Sequence, residues 1–269
     1  VQLSQSGLSL NDKDYYLSDD ESTIKIREAY KEHICKMFCL AGYSEEEAHR
    51  KMKDVLEIET RLAYTFYSKV ELRDPETNYH KMSFGELQNA YPDFDWIAYF
   101  NTLGLKEIKE VSVSQLPPIK ESIHIFRELS PEKLTAYLQW KLIDASAAYL
   151  SDDFYAQNFD FYGRTLSGKE EPSPRWKRAI ALLDQSVGEA VGQMFVEKYF
   201  PASAKERMLK LVKNLQKALG QRIDAQEWMD QATKEKAHEK LNTFHIKIGY
   251  PDKWRDYSGL NVDETSLWE

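Results

Sequence analysis

Helix-capping side chains recur along this chain, each followed by an apolar run of helical period, and that punctuation predicts a helical array. Ser44 with Glu47, and Ser83 with Glu86, have the capping-box spacing, in which each side chain satisfies an orphan backbone N–H of the helix start. Ser130-Pro131-Glu132 combines a hydroxyl cap, a proline at the first helical position and an acid at the positive end of the dipole. Ser173-Pro174 repeats that start, and Ser18-Asp19-Asp20-Glu21 opens a helix over about 23–40 that Ala41-Gly42 ends.

Apolar spacing supports the same picture. Val55, Ile58, Leu62 and Phe66 share one helical face, and Asp74-Pro75-Glu76-Thr77-Asn78 is the expected break. Pro92-Asp93-Phe94-Asp95-Trp96 starts a short helix that stops near Gly104. Val111-Ser112-Val113 is the best strand candidate, with Pro117-Pro118 just after it. Leu134, Leu138, Leu142 and Ala145 line the next helix, and Ile180, Leu183, Val187, Val191 and Met194 or Phe195 line one after Pro174. Beyond Pro201, the residues Met208, Leu211, Val212, Leu215 and Leu219 keep the 3.6 period until Gly220. A last helix is expected from about Ala225 to Phe244, carrying Trp228, Ala232 and Ala237. Gly249-Tyr250-Pro251 closes the helical region, with Ile246-Lys247-Ile248 as a short extended element before it. No repeat of fixed period recurs, which argues against a solenoid. The expectation is a mainly α fold, an antiparallel multi-helix array around a single extended core, with at most short β elements.

Composition narrows the function classes. With 269 residues, 42% of them hydrophobic and 13% aromatic, the chain is not of the disordered type. No apolar run approaches the roughly 20 residues of a membrane span. The net charge of -8 gives no broad electrostatic footprint for nucleic acid. The first residue, Val1, is not Met, no signal peptide follows it, and Ser266-Leu267-Trp268-Glu269 offers no obvious stop, so the sequence reads as a piece of something longer.

Searches for chemistry return little. There is no P-loop and no G-x-S-x-G elbow. The H-E-x-x-H zinc motif needs two histidines four apart on one helix face, but after His238-Glu239 the fourth position is Asn242. His33, His49, His80, His124 and His245 are scattered. Cys35 and Cys39 share a helix face and do not suit a disulfide within one regular helix, so they read as small buried hydrophobes. A metal site with His33 is the sharper alternative, opposed by the divergence of His33 and Cys35 on a helix. Acid pairs such as Asp152-Asp153 read as solvated helix starts. The aromatic run of Phe154-Tyr155 and Phe159-Asp160-Phe161-Tyr162 reads as core before it reads as a ligand cage.

The order of several local strings says more. Ser6-Gly7-Leu8-Ser9-Leu10 runs into Asp12-Lys13-Asp14-Tyr15-Tyr16-Leu17, followed by Glu59-Thr60-Arg61-Leu62-Ala63 and Phe94-Asp95-Trp96. Tyr137-Leu138-Gln139-Trp140, Phe159-Asp160-Phe161-Tyr162 and Arg175-Trp176-Lys177-Arg178 come next. Gly188-Glu189-Ala190-Val191-Gly192, Lys198-Tyr199-Phe200, Trp228-Met229-Asp230, Thr233-Lys234, Ala237, Lys240-Leu241 and Ile248-Gly249-Tyr250-Pro251 complete the series. Taken together these strings resemble the neprilysin-type zinc metallopeptidases, the M13 family, which includes oligopeptidase O. The likeness covers essentially the full sequence.

The resemblance implies a position within a longer enzyme. In that family the substrate-binding strand, H-E-x-x-H and the downstream E-x-x-x-D follow the Gly-Tyr-Pro region, so no catalytic or zinc-binding residue carries over to this segment. The zinc belongs to the parent enzyme, and none is expected on this piece. The family's N-terminal portion is expected ahead of Val1. Ala179 stands where many members have cysteine, which puts the corresponding disulfide in doubt. The implied role is the smaller helical domain that covers the active-site chamber of a two-domain peptidase and limits substrates to oligopeptides. Residues 1–245 would form that domain, with 1–10 a mobile lead-in, and 246–269 the junction toward the catalytic domain. Phe154, Tyr155, Tyr162, Arg164 and Arg175 are the candidates for the chamber or the domain interface. Phe159, Phe161 and Trp176 are weighed there too, with the core as their competing place. The implied partners are the parent's own catalytic domain and oligopeptides. The alternative is a stand-alone helical interaction or peptide-binding module. Family members are often extracellular, cell-surface or periplasmic, and some bacterial ones are cytosolic; this segment does not decide between them.

Overall fold

The structure, a computed structural model, describes residues 1–263 and Thr265. Its described residues are mainly helical, with one small sheet, and they form two compact units, Val1–Pro172 and Ser173–Glu269. The boundary between them lies inside the span 1–245 expected as one domain.

In the first unit, α1 (Asp14–Leu17), α2 (Glu21–Leu40) and α3 (Glu45–Thr65) lead into β2 (His80–Ser83) and the short helices α4 (Phe84–Ala90) and α5 (Trp96–Thr102). Then follow β3 (Glu110–Val113), α6 (Leu116–Glu128), α7 (Pro131–Ser146) and α8 (Asp152–Asn158), which runs into a π-helix, Phe159–Thr165. Both capping boxes form, at Ser44 with Glu47 and at Ser83 with Glu86. Asp20 accepts from the N–H groups of Ser22 and Thr23, and Ser130 from that of Lys133. The lead-in 1–10 is built into the unit: β1 (Gln2–Leu3) pairs in parallel with β3, β2 pairs with β3 on the other side, and Leu10 is fully buried.

α3 is the central helix and packs against α1, α2, α6 and α7. The apolar side chains of this unit form three clusters, one around Tyr30, Phe38, Trp140 and Phe161, one under the sheet, and one around Ile58, Leu62, Phe66 and Ile125. α3 does not continue to Asp74. It ends at Thr65, and Phe66 turns into the third cluster. The Gln5 side chain meets the chain beyond this turn, donating to the Tyr67 carbonyl (3.2 Å) and accepting the Tyr67 N–H (2.8 Å). A partner from 62 residues away has no local sequence signal.

Four of the strings that carry the resemblance meet in one buried polar network. The Glu59 carboxylate, fully buried, accepts from the Ser9 N–H and hydroxyl (3.1 and 2.7 Å), from Tyr16 (3.0 Å) and from Tyr30 (2.8 Å). Trp140 Nε1 donates to Ser9 Oγ (2.9 Å) and to the Tyr30 hydroxyl (3.0 Å). Lys141 Nζ lies 4.0 Å from Glu59 and donates to Ser9 Oγ (3.0 Å). Nearby, Tyr137 donates to the Gly7 carbonyl (2.7 Å). Gly7 has φ +115°, and a Cβ there would stand 2.7 Å from the Tyr137 oxygen, so a side chain is excluded twice over. The network ties residues 7–16 to α2, α3 and α7.

The second unit holds α9 (Arg175–Tyr199), α10 (Ala202–Asp224) and α11 (Gln231–Asn242). Pro174 occupies the cap position of α9, and no side chain caps that helix. The helical geometry of α9 is interrupted at Val187 (φ -125°, ψ 34°). α10 does not stop at Gly220. There the glycine faces α11, its Cβ position 3.4 Å from His238 and 3.6 Å from Leu241, an ordinary contact distance. α11 begins at the Asp230 cap, leaving Trp228 outside it and exposed. The Ile246-Lys247-Ile248 stretch forms no strand. Gly249 (φ +70°) lies against the Phe200 ring, and Lys205 Nζ donates to the Tyr250 carbonyl (2.8 Å) and Asp252 (2.7 Å). Arg255 N–H reaches Glu189 (2.8 Å).

The single extended core is not what forms. Among the described residues the three clusters belong to the first unit, α9 buries no residue, and of the α10 series Met208, Leu211, Val212, Leu215 and Leu219 every member but the half-buried Val212 is exposed.

Candidate functional site

An open cleft on the first unit has a volume of about 1010 Å³. α2 contributes Cys35, Lys36, Cys39 and Leu40, and the start of α3 contributes Glu45 and His49. α8 adds Asp153, Tyr155, Ala156 and Gln157, and the π-helix adds Phe159, Asp160 and Arg164, with Pro172 at the edge. Its charges are mixed: Lys36 and Arg164 are the cations, and Glu45, Asp153 and Asp160 the acids.

The π-helix shapes one wall. Gly163 lies directly beneath Phe159, and a Cβ at 163 would fall 2.4 Å from that ring. The wider π turn and the bare glycine thus let Phe159 fold back over its own helix. Arg164 pairs with Asp160 across one turn and sets its guanidinium 5.6 Å from the Phe159 ring centre. Such a cation over an aromatic face is a recognition surface for a flat or anionic group.

Behind the cleft stands His33. Gln157 Nε2 lies 3.1 Å from His33 Nδ1, and the imidazole stacks on Phe161 at 4.7 Å and meets Trp140 and Tyr162 edge-on. Burial, reinforced by Lys36, pushes its pKa down to about 3, so the ring is neutral. Its Nε2 has no hydrogen-bond partner among the described residues. Burial also pushes the Cys35 thiol up, and the charges of Cys39 and Glu32 add to this. Cys39 is exposed, so the expectation of two buried cysteines holds only in part for Cys35, which is half-buried. The helix ends one residue after Cys39, which leaves its face uncovered.

Of the residues singled out from the sequence, the cleft brings together Tyr155, Arg164 and Phe159. Phe154 packs on the first core cluster. Tyr162 also turns inward: its hydroxyl donates to Asp144 (2.9 Å), and burial, together with the Asp144 charge, raises the pKa of the phenol. Phe161 is core, as its competing reading had it, whereas Trp176 is exposed. Arg175 begins α9 in the second unit. Sequence reasoning missed Lys36, Glu45, His49 and Asp160. The signal was available for Lys36, which lies three residues from Cys39 on one helix surface, but which elements face one another is a tertiary matter.

The zinc implied by the resemblance does not fit these residues. Among the described residues no group of three or more His, Cys, Asp or Glu side chains could hold a metal ion. His33 lies in an aromatic stack, so no ligand set forms with Cys35 and Cys39.

Comparisons with known proteins agree with the string-by-string likeness. Endothelin-converting enzyme 1 of Bos taurus is 30% identical over 261 residues, covering 94% of this chain and 34% of its own length. The mouse enzyme of the same name is 28% identical over 257 residues, 94% of this chain and 33% of its own length. The open-state structure of the Mycobacterium tuberculosis zinc metalloprotease Zmp1 superposes with a TM-score of 0.86 at 35% identity, covering 99% of this chain and 42% of that one. PepO from Lactobacillus rhamnosis shares the fold, with a TM-score of 0.79 at 23% identity over 98% of this chain and 42% of its own. This chain spans about a third of the length of the curated relatives it matches. Residues 1–251 match the model of Peptidase family M13, and the chain therefore belongs to that family.

Proposed function

We propose that this chain is the non-catalytic helical part of a neprilysin-like zinc metalloendopeptidase, that it walls the chamber around a zinc site carried elsewhere in the polypeptide, and that it admits oligopeptides while excluding folded proteins. The observation that carries this reading is the match to family M13 over 1–251 in a chain that spans about a third of the length of its curated relatives. The relatives supply the remaining length. Residues 1–245 would serve as the filtering part and 246–269 as the junction. The physics is steric exclusion of bulky substrates and exclusion of water from the reacting bond, with access through relative motion of the two parts.

The cleft at the π-helix is the place where this chain would touch a peptide. Tyr155 and Phe159 offer flat apolar surface, and Arg164 a guanidinium for a carboxylate or carbonyl. Arg175 would belong to the interface with the catalytic part. In the full-length enzyme, Arg164→Ala and Tyr155→Ala should change the ratio of kcat/KM for long against short peptides by about threefold or more, the size of one modest contact. An unchanged ratio for both variants would remove these side chains from the chamber. A full-length protein with no peptidase activity would remove the enzyme reading itself.

A further inference from the structure

Both cysteines of this chain line the cleft at the π-helix, and both are free thiols. Cys35 and Cys39 stand on α2, and four residues of a 3.6-residue helix place them within about 40° of one another around the axis. Their Cβ atoms are then about 5–6 Å apart. A disulfide draws the Cβ atoms to about 3.5–4.5 Å, so α2 would have to unwind before the two thiols could oxidise together. The packing of α2 on α3, α7 and α8 opposes that. A bridge through a metal atom has a different span. Two metal–thiolate bonds of about 2.3 Å, the zinc value, separate the sulfurs by up to ~4.6 Å. The helical spacing is too wide for the disulfide and matches the bridged pair.

We infer that Cys35 and Cys39 form a two-coordinate site for a soft monovalent cation of the Cu(I) class. Thiolates are the ligands that select Cu(I). Structural zinc takes four ligands, and among the described residues no set of three donors exists. His33 supplies no third donor, since it lies in the aromatic stack behind the cleft. A linear ion needs only the two sulfurs. As each metal–sulfur bond forms, the thiol gives its proton to water. One Cu(I) and two thiols thus yield an S–Cu–S bridge of net charge -1 and two released protons. Lys36 lines the same cleft and offsets that charge in part. The site is independent of the peptidase reading, because neither thiol has a part in it.

The test is an anaerobic Cu(I) titration of the 269-residue chain against a chromophoric Cu(I) chelator. The chain should take one equivalent from the chelator. Cys35→Ser and Cys39→Ser should each weaken binding by at least ~100-fold, with helix content by circular dichroism unchanged. A further variant moves the second thiol by one residue, combining Cys39→Ser with Leu40→Cys. It keeps two thiols but sets them about 140° apart around the axis, and it should bind no better than the single variants. Copper X-ray absorption of the loaded wild type should show two sulfur neighbours and no nitrogen. No uptake by the wild type, or wild-type affinity in either serine variant or in the shifted pair, overturns the inference. A nitrogen neighbour, as from His49 in the same cleft, also overturns it. The absorption measurement needs no variant, so it decides the matter even where a substitution disturbs folding.

Discussion

Truncating Glu59 should open the first unit, and the cost can be worked from its partners. Glu59→Ala leaves the Ser9 N–H and the Tyr16 and Tyr30 hydroxyls without their acceptor in a fully buried site, with Lys141 4.0 Å away and uncompensated. Leaving three buried donors unsatisfied costs about 1–3 kcal/mol each and not fully additively, so a total of about 3–5 kcal/mol is expected. Glu59→Gln keeps the shape and one acceptor oxygen but turns an amide N–H₂ toward donors, a loss of about 1–3 kcal/mol. The assay is amide hydrogen exchange along α3, which reports the opening of this unit without assuming that both units unfold together. Protection should fall by roughly two to four orders of magnitude in the alanine variant. The pH dependence is a second check. Burial raises the Glu59 carboxyl above its ordinary 4.5, against the opposing pull of Ser9, Tyr30, Lys141 and Tyr16. The native state then holds this proton more tightly than the unfolded chain does. The group's contribution is therefore fully present below pH 4.5 and is lost as pH rises through the raised native value. Glutamine does not titrate, so the stability gap between wild type and Glu59→Gln should be wider at about pH 4 than at about pH 7. A loss below ~1 kcal/mol for Glu59→Ala would refute the network as the clamp on residues 7–16.

Gly163→Ala forces a methyl group into the Phe159 ring and should cost about 1–3 kcal/mol, read as a lower urea midpoint with loss of the π turn in the NMR shifts of residues 159–165. His33, held down to about 3, should show no imidazole titration between pH 7 and pH 4 by NMR. Because its native value lies below the ordinary 6.5, stability is lost from this group as pH falls below 6.5, and His33→Phe should reduce that loss. Ser44→Ala removes one capping box and should cost about 1 kcal/mol in thermal unfolding. A thiol reagent should modify Cys39 well before Cys35, since Cys39 is exposed and the Cys35 thiol is pushed up by burial; equal rates would contradict this.

Local chemistry made much of the first unit legible. The caps at Ser44, Ser83 and Ser130 are local, because a helix start needs only three neighbouring residues to satisfy its N–H groups. The end of α3 was not legible, because Gln5 meets the chain there from 62 residues away. The cleft was half legible. The aromatic run held Tyr155 and Phe159, with Arg164 singled out just after it, but Phe154 and Tyr162 share that run and face the core. On a π-helix the angular step per residue differs from 3.6-residue geometry, so helical spacing assigns faces wrongly there.

In the second unit the helical period of α10 correctly predicted an apolar face, and only the tertiary structure showed that face to be open. Gly220 likewise reads as a stop in sequence and serves as a helix-crossing contact in space. The sequence by itself determined the helices, most of their starts and, through the order of its strings, the family. The tertiary structure decided which of those strings meet. Ser9 and Tyr16 reach across the chain to the Glu59 carboxylate, and Trp140 joins them through Ser9 and Tyr30. Periodicity records which face of a helix is apolar, and it carries no information about what lies against that face.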